Sequence, residues 1–119
     1  MDAEAEGDWL MGRVTYNKIV RDKIPEIISD EGKQCIIEIL NEDEYLMLLD
    51  TKLDEELGEY HLEHSIEELA DLVEVIYATV KARGCSIEEF EKIRMQKAET
   101  RGAFEKRILL KEVIDNKTV

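Results

Sequence analysis

Three helix-start signals divide the sequence into long helical segments. Each is an Asn or Ser followed three residues later by a Glu, the capping box in which the first side chain accepts a hydrogen bond from a backbone N–H of the first turn. They are Asn41 with Glu44, Ser65 with Glu68, and Ser86 with Glu89. The signals predict helices over 42–60, from Ser65 to Arg83 before Gly84, and from Ile87 to about Arg101.

Short links between these helices predict antiparallel packing. About five residues, 61–65, separate the first two helices, so the second folds back beside the first. The second helix is apolar on nearly every side, which predicts burial on most sides. The first carries an apolar stripe at helical spacing, formed by Leu46, Leu49, Leu53, Leu57 and Tyr60. The predicted fold is all-α, an antiparallel bundle of four to five helices.

The other segments carry weaker signals. Asp22 is placed to cap a short helix that has Pro25 in its first turn and Gly32 at its end. The sequence QCIIEIL at 34–40 predicts a strand or an extended connector. The sequence RILLKEV at 107–113 predicts a terminal strand or another short helix.

Length and composition favour one globular domain. The chain has 119 residues with one proline and six glycines, which suits a single domain over 14–119 after a flexible leader over 1–13. No apolar run reaches the ~20 residues of a membrane span, and the N-terminus lacks a signal-peptide pattern. Cys35 and Cys85 lie far apart without CxxC spacing, which predicts reduced thiols in a cytoplasmic protein.

The acidic residues concentrate in the middle of the chain. The stretch EELGEYHLEHSIEELAD, residues 55–71, holds seven carboxylates, and the wider range from Leu53 to Val80 holds nine without one Lys or Arg. Like charges at helical spacing repel each other, so this block needs a counter-charge. The net charge of −13 argues against nucleic-acid or anionic-membrane binding, which needs a basic surface. It is compatible with a small phosphorylated substrate that brings its own cation.

Two pairs of acids fall at the same end of the predicted bundle. Glu56 and Glu59 are three residues apart near the end of one helix, and Glu68 and Asp71 are three apart at the start of the next. Glu56 also continues the apolar row. Carboxylates in a partly desolvated seam take up protons or gather a cation. Oxygen ligands suit Mg²⁺ or Mn²⁺, and Mg²⁺ usually completes its shell with water and substrate phosphates.

A solvated helix face is the alternative to a metal site. Glu67, Asp71 and Glu74 form one helical row that ends at Lys81, and ExxE or ExxD alone is a common pattern. Two histidines lie nearby, His61 and His64. We expect them to be polar residues of the turn rather than ligands, because a hard ion has little use for imidazole.

Three segments together resemble one family. KLDEELGEYHLEHSIEELAD resembles the EExxE…ExxD motif of MazG-like all-α nucleoside triphosphate pyrophosphohydrolases, and YNKIVRDKIPEII and KAETRGAFEKRILL resemble the flanks of one subgroup. The resemblance spans about residues 15–110. It implies Mg²⁺-dependent cleavage between the α- and β-phosphates of a nucleotide. The implied metal ligands are Glu56, Glu59, Glu68 and Asp71, and Glu55 is implied as an outer-shell group or base.

The gap of eight residues between Glu59 and Glu68 is shorter than in many members of that family, so extra substrate-contacting structure between the helices is lacking. The related phosphoribosyl-ATP pyrophosphatases share the helical motif and stay an alternative. So does a non-catalytic helical module whose acidic block docks a basic partner.

A nucleotide substrate also needs basic residues around its phosphates. A triphosphate carries about four negative charges, which an acidic seam alone would repel. Candidates are Lys18, Arg21 and Lys23 before the first helix and Lys97 and Arg101 on the last long one; ordinary surface charge is the alternative for each. Contacts to base or sugar are assigned to Tyr16, Asn17 and Tyr60. Since such apolar helices leave surface to cover, we expect a homodimer or larger homo-oligomer.

Overall fold

The computed structural model describes residues 6–8 and 12–117. Contacts divide the chain into two compact units, Met1–Ile87 and Glu88–Val119, which are described separately. Two short strands, β1 (Glu6–Asp8) and β2 (Arg13–Thr15), pair antiparallel in the first unit. β1 and Arg13 lie in the predicted leader over 1–13, whose residues 1–5 and 9–11 lie outside the described part, whereas Val14 and Thr15 lie in the predicted domain. The single domain over 14–119 stays a prediction.

Helices form the rest of the regular structure in the described residues. They are α1 (Ile24–Asp30), α2 (Glu42–Glu63), α3 (Ile66–Ala82) and α4 (Ile87–Arg101). The prediction of a helical fold is therefore confirmed, apart from the two short strands. Among the described residues, none of the helices has both the length and the apolar character that crossing a membrane requires.

The predicted caps of α2 and α3 are confirmed. Asn41 Oδ1 accepts a hydrogen bond from the backbone N–H of Glu44 at 2.9 Å, and Ser65 Oγ accepts one from Glu68 at 3.2 Å. α2 continues three residues past the predicted end and closes at His64 in the left-handed region, with φ 53°, so only His64 and Ser65 separate α2 from α3. Gly84, with φ 86°, follows the end of α3 as predicted.

The cap of α1 differs from the prediction. Lys23 rather than Asp22 is the N-cap residue, and its side chain makes no capping hydrogen bond. The reason lies in the preceding turn, where the backbone N–H of Ile24 bonds to the carbonyl of Arg21 at 3.0 Å. The helix therefore begins one residue later than a cap at Asp22 requires. Pro25 lies in the first turn as predicted.

Two apolar segments have no regular structure. Residues 33–41 form no helix or strand, so the strand alternative for 34–40 is wrong and the segment is a connector without regular structure. Both alternatives for 107–113 are wrong, because described residues 102–117 contain neither helix nor strand. The backbone takes left-handed conformations at Gly102 (φ 84°) and Arg107 (φ 57°), which interrupt a helix and a strand alike.

The core of the first unit is the antiparallel hairpin of α2 and α3. The two helices join through the turn at His64, and at the opposite end Arg83 pairs with Asp50 at 3.4 Å. Leu49 on the predicted stripe is 2% exposed, and Glu56 is 5% exposed.

The prediction that α3 is buried on most sides is wrong, because none of its residues is buried. Leu69 and Val73 are exposed, as is Leu57 on the stripe of α2. In the described part of the first unit, α2 is the helix that packs along α3, and it covers one side of a helix that is apolar nearly all round.

Candidate metal centre

The turn end of the α2–α3 hairpin brings carboxylates from both helices together. Glu56 on α2 and Glu68 and Asp71 on α3 each place one carboxylate oxygen so that the three atoms lie within 4.8 Å of one another. The helix caps explain this arrangement, because they set where α2 ends and where α3 begins. Three of the four acids assigned to a metal ion therefore converge.

A second group of carboxylates shares Glu68. It consists of Glu59, Glu63 and Glu68, again with one oxygen from each within 4.8 Å of the others. Glu63 was not among the acids assigned to a metal ion. It joins the group because α2 continues to Glu63 and places it one turn after Glu59 on the same face. The signal was the four-residue spacing, which a helix ending at residue 60 concealed.

Because most of these carboxylates are partly or fully buried, keeping them ionised costs free energy. Glu56 is 5% exposed, and the Oε2 atoms of Glu56 and Glu68 are shielded from solvent. Glu59 and Asp71 are half-buried. Removing ionised carboxylates from water requires compensation by protons or by cations.

Lys52 supplies part of that compensation, and the sequence interpretation missed it. Its Nζ atom lies 3.3 Å from Glu55 Oε1 and 3.4 Å from Glu56 Oε1, and its side chain is 11% exposed. The available signal was its position three and four residues before these acids, the spacing of helical ion pairs. Lys52 lies one residue before the base-free stretch, which begins at Leu53.

Two of the three predicted N-terminal bases also contact acids of the block. Lys18 Nζ lies 3.1 Å from Glu55 Oε1 on α2, and an Arg21 guanidinium nitrogen lies 2.6 Å from Asp71 Oδ1 on α3. The third, Lys23, is exposed at the start of α1. The bases near Glu55, Glu56 and Asp71 therefore come from outside the acidic block.

The other predicted substrate-binding bases lie in the second unit. Lys97 and Arg101 are on α4, where they line one face together with Ile93 and Thr100.

A shallow depression adjoins Glu59. It has a volume of about 440 Å³. Its lining consists of Tyr16, Lys18, Thr51, Asp54, Glu55 and Glu59. The Lys18 ammonium also lies 5.6 Å from the centre of the Tyr16 ring, within the range of a cation–π contact. An aromatic ring and a base therefore lie beside the carboxylates.

His64 lies in the link between the helices, as expected, whereas His61 lies within α2 rather than in the predicted link over 61–65. His61 lies in the last turn of α2, and His64 is its C-cap residue. Their rings lie 6.1 Å and 5.4 Å from the ring of Tyr60, centre to centre. Neither belongs to a group of potential ligands in the described part of the chain.

The donor set fits a hard divalent ion. Its ligand atoms are all carboxylate oxygens, the type preferred by Mg²⁺ and Mn²⁺. Opposite ligands of Mg²⁺ lie about 4.2 Å apart, because each bond is about 2.1 Å long. Three ligands of one octahedral ion include adjacent pairs about 3.0 Å apart, so binding to one ion would draw the oxygens of each group closer together than the present limit of 4.8 Å.

Comparisons with known proteins give one short match. A protein of Mycolicibacterium smegmatis, described as an uncharacterized protein, is 50% identical over 42 residues. The match covers 35% of this chain and 43% of that relative, so the chain spans less than half of the relative's length. No protein-family model and no solved structure matches the chain.

Proposed function

We propose that this chain is a Mg²⁺-dependent nucleotide pyrophosphohydrolase of the MazG-like type. It cleaves between the α- and β-phosphates and yields a nucleoside monophosphate and pyrophosphate. The observation that carries the proposal is the convergence of Glu56, Glu68 and Asp71 from two helices around a buried carboxylate. A solvated helix face needs no such convergence, and a metal site does.

The carboxylates divide into ligands and supporting groups. Glu56, Glu59, Glu68 and Asp71 are the metal ligands, divided between the two groups that share Glu68. When bound, Mg²⁺ neutralises phosphate charge and stabilises the leaving pyrophosphate. The oxygen Oε1 of Glu55 contacts both Lys18 and Lys52, so we assign Glu55 an outer-shell role. Orientation of the attacking water and acceptance of its proton then fall to Glu59, which lines the depression.

The surrounding bases and the depression support a nucleotide as substrate. Lys18 and Arg21 bring positive charge to the edge of an acidic cluster that would otherwise repel a triphosphate. Tyr16 offers a ring on which a nucleobase can stack. Lys23, Lys97 and Arg101 stay predicted phosphate contacts.

Product analysis tests this function. The protein is incubated with Mg²⁺ and a panel of nucleoside triphosphates, and the products are separated. We expect monophosphate and pyrophosphate, with turnover lost in Glu56→Ala and Asp71→Ala and retained in the control Glu67→Ala, which lies outside both groups. No turnover of any nucleotide, or unchanged turnover in the first two variants, would refute the enzyme. Release of orthophosphate would reject α–β cleavage.

The same panel separates the alternatives. Adding phosphoribosyl-ATP tests the related pyrophosphatase, which shares the acidic motif. The burial of Glu56, at 5% exposure, argues against a module that docks a basic partner, because a docking surface is exposed.

We also propose a homo-oligomer. Leu57, Leu69 and Val73 present apolar surface on the hairpin, and a second copy would cover it.

A further inference from the structure

Lys18 and Arg21 hold their carboxylate partners in different environments. The Lys18 side chain is 14% exposed and shares Glu55 with Lys52. The Arg21 side chain is 57% exposed, and that of its partner Asp71 is 40% exposed. A shared, largely buried ion pair is hard to separate, whereas an exposed pair contributes little and exchanges partners readily.

Arg21 forms an ion pair with one of the proposed ligands of the metal ion. Its guanidinium lies 2.6 Å from Asp71 Oδ1, and Asp71 is one of the three acids that converge with Glu56 and Glu68. A divalent cation placed among these acids repels a guanidinium at that distance. Arg21 is the exposed partner and follows a segment without regular structure, residues 16–20, so it is the group that can move.

We propose that Arg21 exchanges partners during the reaction cycle. Without metal it neutralises Asp71; when the ion binds, Arg21 is released and binds a phosphate of the nucleotide. Metal binding then precedes tight nucleotide binding, so the acidic cluster acquires a phosphate-binding guanidinium only after it has acquired the metal. This inference rests on the proposed function, since it takes the same metal and the same class of substrate.

The variant Arg21→Gln tests the exchange, because the exchange predicts that this variant binds Mn²⁺ more tightly and a triphosphate analogue more weakly. Calorimetric titration with Mn²⁺ alone should show about two- to fivefold tighter binding, as expected for removal of an exposed competing ion pair. A triphosphate analogue with a methylene group between the α- and β-phosphorus atoms, titrated at saturating Mn²⁺, should bind at least about tenfold more weakly, because a charged hydrogen bond is lost.

Arg83→Gln is the matched control. Arg83 also belongs to an exposed ion pair of the hairpin, with Asp50 at 3.4 Å and a side chain 56% exposed, but at the opposite end. It should leave both affinities unchanged, which separates competition at Asp71 from the general loss of one positive charge.

The outcomes distinguish this inference from the proposed function. Equal Mn²⁺ affinities in Arg21→Gln and Arg83→Gln, no Mn²⁺ binding by the native protein, or unchanged analogue binding in Arg21→Gln would each overturn the exchange. Opposite shifts for the two ligands support it even when the native protein releases no pyrophosphate, a result that rejects only the proposed activity.

Discussion

Glu56→Gln separates the metal-binding role of this carboxylate from its packing role. The amide has nearly the same size, so the buried volume is kept while one negative charge is removed. Glu56 is 5% exposed and lies within reach of Glu68 and Asp71. We expect the variant to fold and to lose most of its affinity for Mn²⁺.

The magnitude follows from the charges. One carboxylate charge acting on a divalent ion at about 4 Å contributes about 8 kcal/mol at an effective dielectric constant near 20. After partial compensation by solvent we expect a loss of about 3 kcal/mol, or about a hundredfold in affinity. Removing one partner of a buried ion pair costs about 3–5 kcal/mol. Here Lys52 keeps Glu55 at 3.3 Å, so the free energy of unfolding without metal should fall by less than that.

Thermal unfolding with and without Mn²⁺ measures both effects. At a concentration of one hundred times the native dissociation constant, Mn²⁺ should stabilise the native protein by about 2.7 kcal/mol. In Glu56→Gln, with affinity about a hundredfold lower, the same concentration should contribute only about 0.4 kcal/mol. At roughly 4 °C per kcal/mol for a chain of this size, the shift in Tm should fall from about 10 °C to about 2 °C.

Glu67→Gln is the control, since Glu67 is exposed and lies beside Glu68 without joining either group. It should keep the full Mn²⁺ shift. The reasoning is refuted when Glu56→Gln keeps that shift, or when Glu67→Gln loses as much of it.

Three further predictions concern the second carboxylate group, the core and the apolar surface. The two groups predict two Mn²⁺ ions per chain, and Glu63→Gln should reduce the calorimetric stoichiometry to one; an unchanged stoichiometry contradicts this. Leu49→Ala should lower the free energy of unfolding by about 2–5 kcal/mol in urea titrations, because Leu49 is 2% exposed; a loss below about 1 kcal/mol would contradict a core centred there. Val73→Glu should lower the sedimentation coefficient by dissociating the proposed oligomer, since Val73 is 43% exposed on α3; equal coefficients for variant and native protein argue against that interface.

The parts of the fold predicted correctly depend on interactions between near neighbours in the chain. Asn41 and Ser65 each cap a helix through the residue three positions later, so the starts of α2 and α3 follow from a few adjacent residues. The convergence of Glu56 with Glu68 and Asp71 then follows from the short turn between those two starts. The sequence did not predict that Leu49 is less exposed than Val73. The exposure of each side chain depends on which helix face packs against a neighbour.

The counter-charges of the acidic block were predicted less well, and the reason is their distance in sequence. Arg21 and Asp71 are 50 residues apart, and Lys18 and Glu55 are 37 apart, so no helical periodicity relates them. Lys52 lies four residues before Glu56 on the same helix, but one residue before the base-free stretch begins. The bases that contact Glu55, Glu56 and Asp71 thus all precede the block in the sequence, and the exposed one, Arg21, pairs with Asp71, a proposed ligand of the ion. If the block needed only neutralisation, Lys18, Lys52 and Arg21 would suffice for those three acids. The converging Glu59, Glu63 and Glu68 add further charge, which favours a divalent cation at this end of the hairpin.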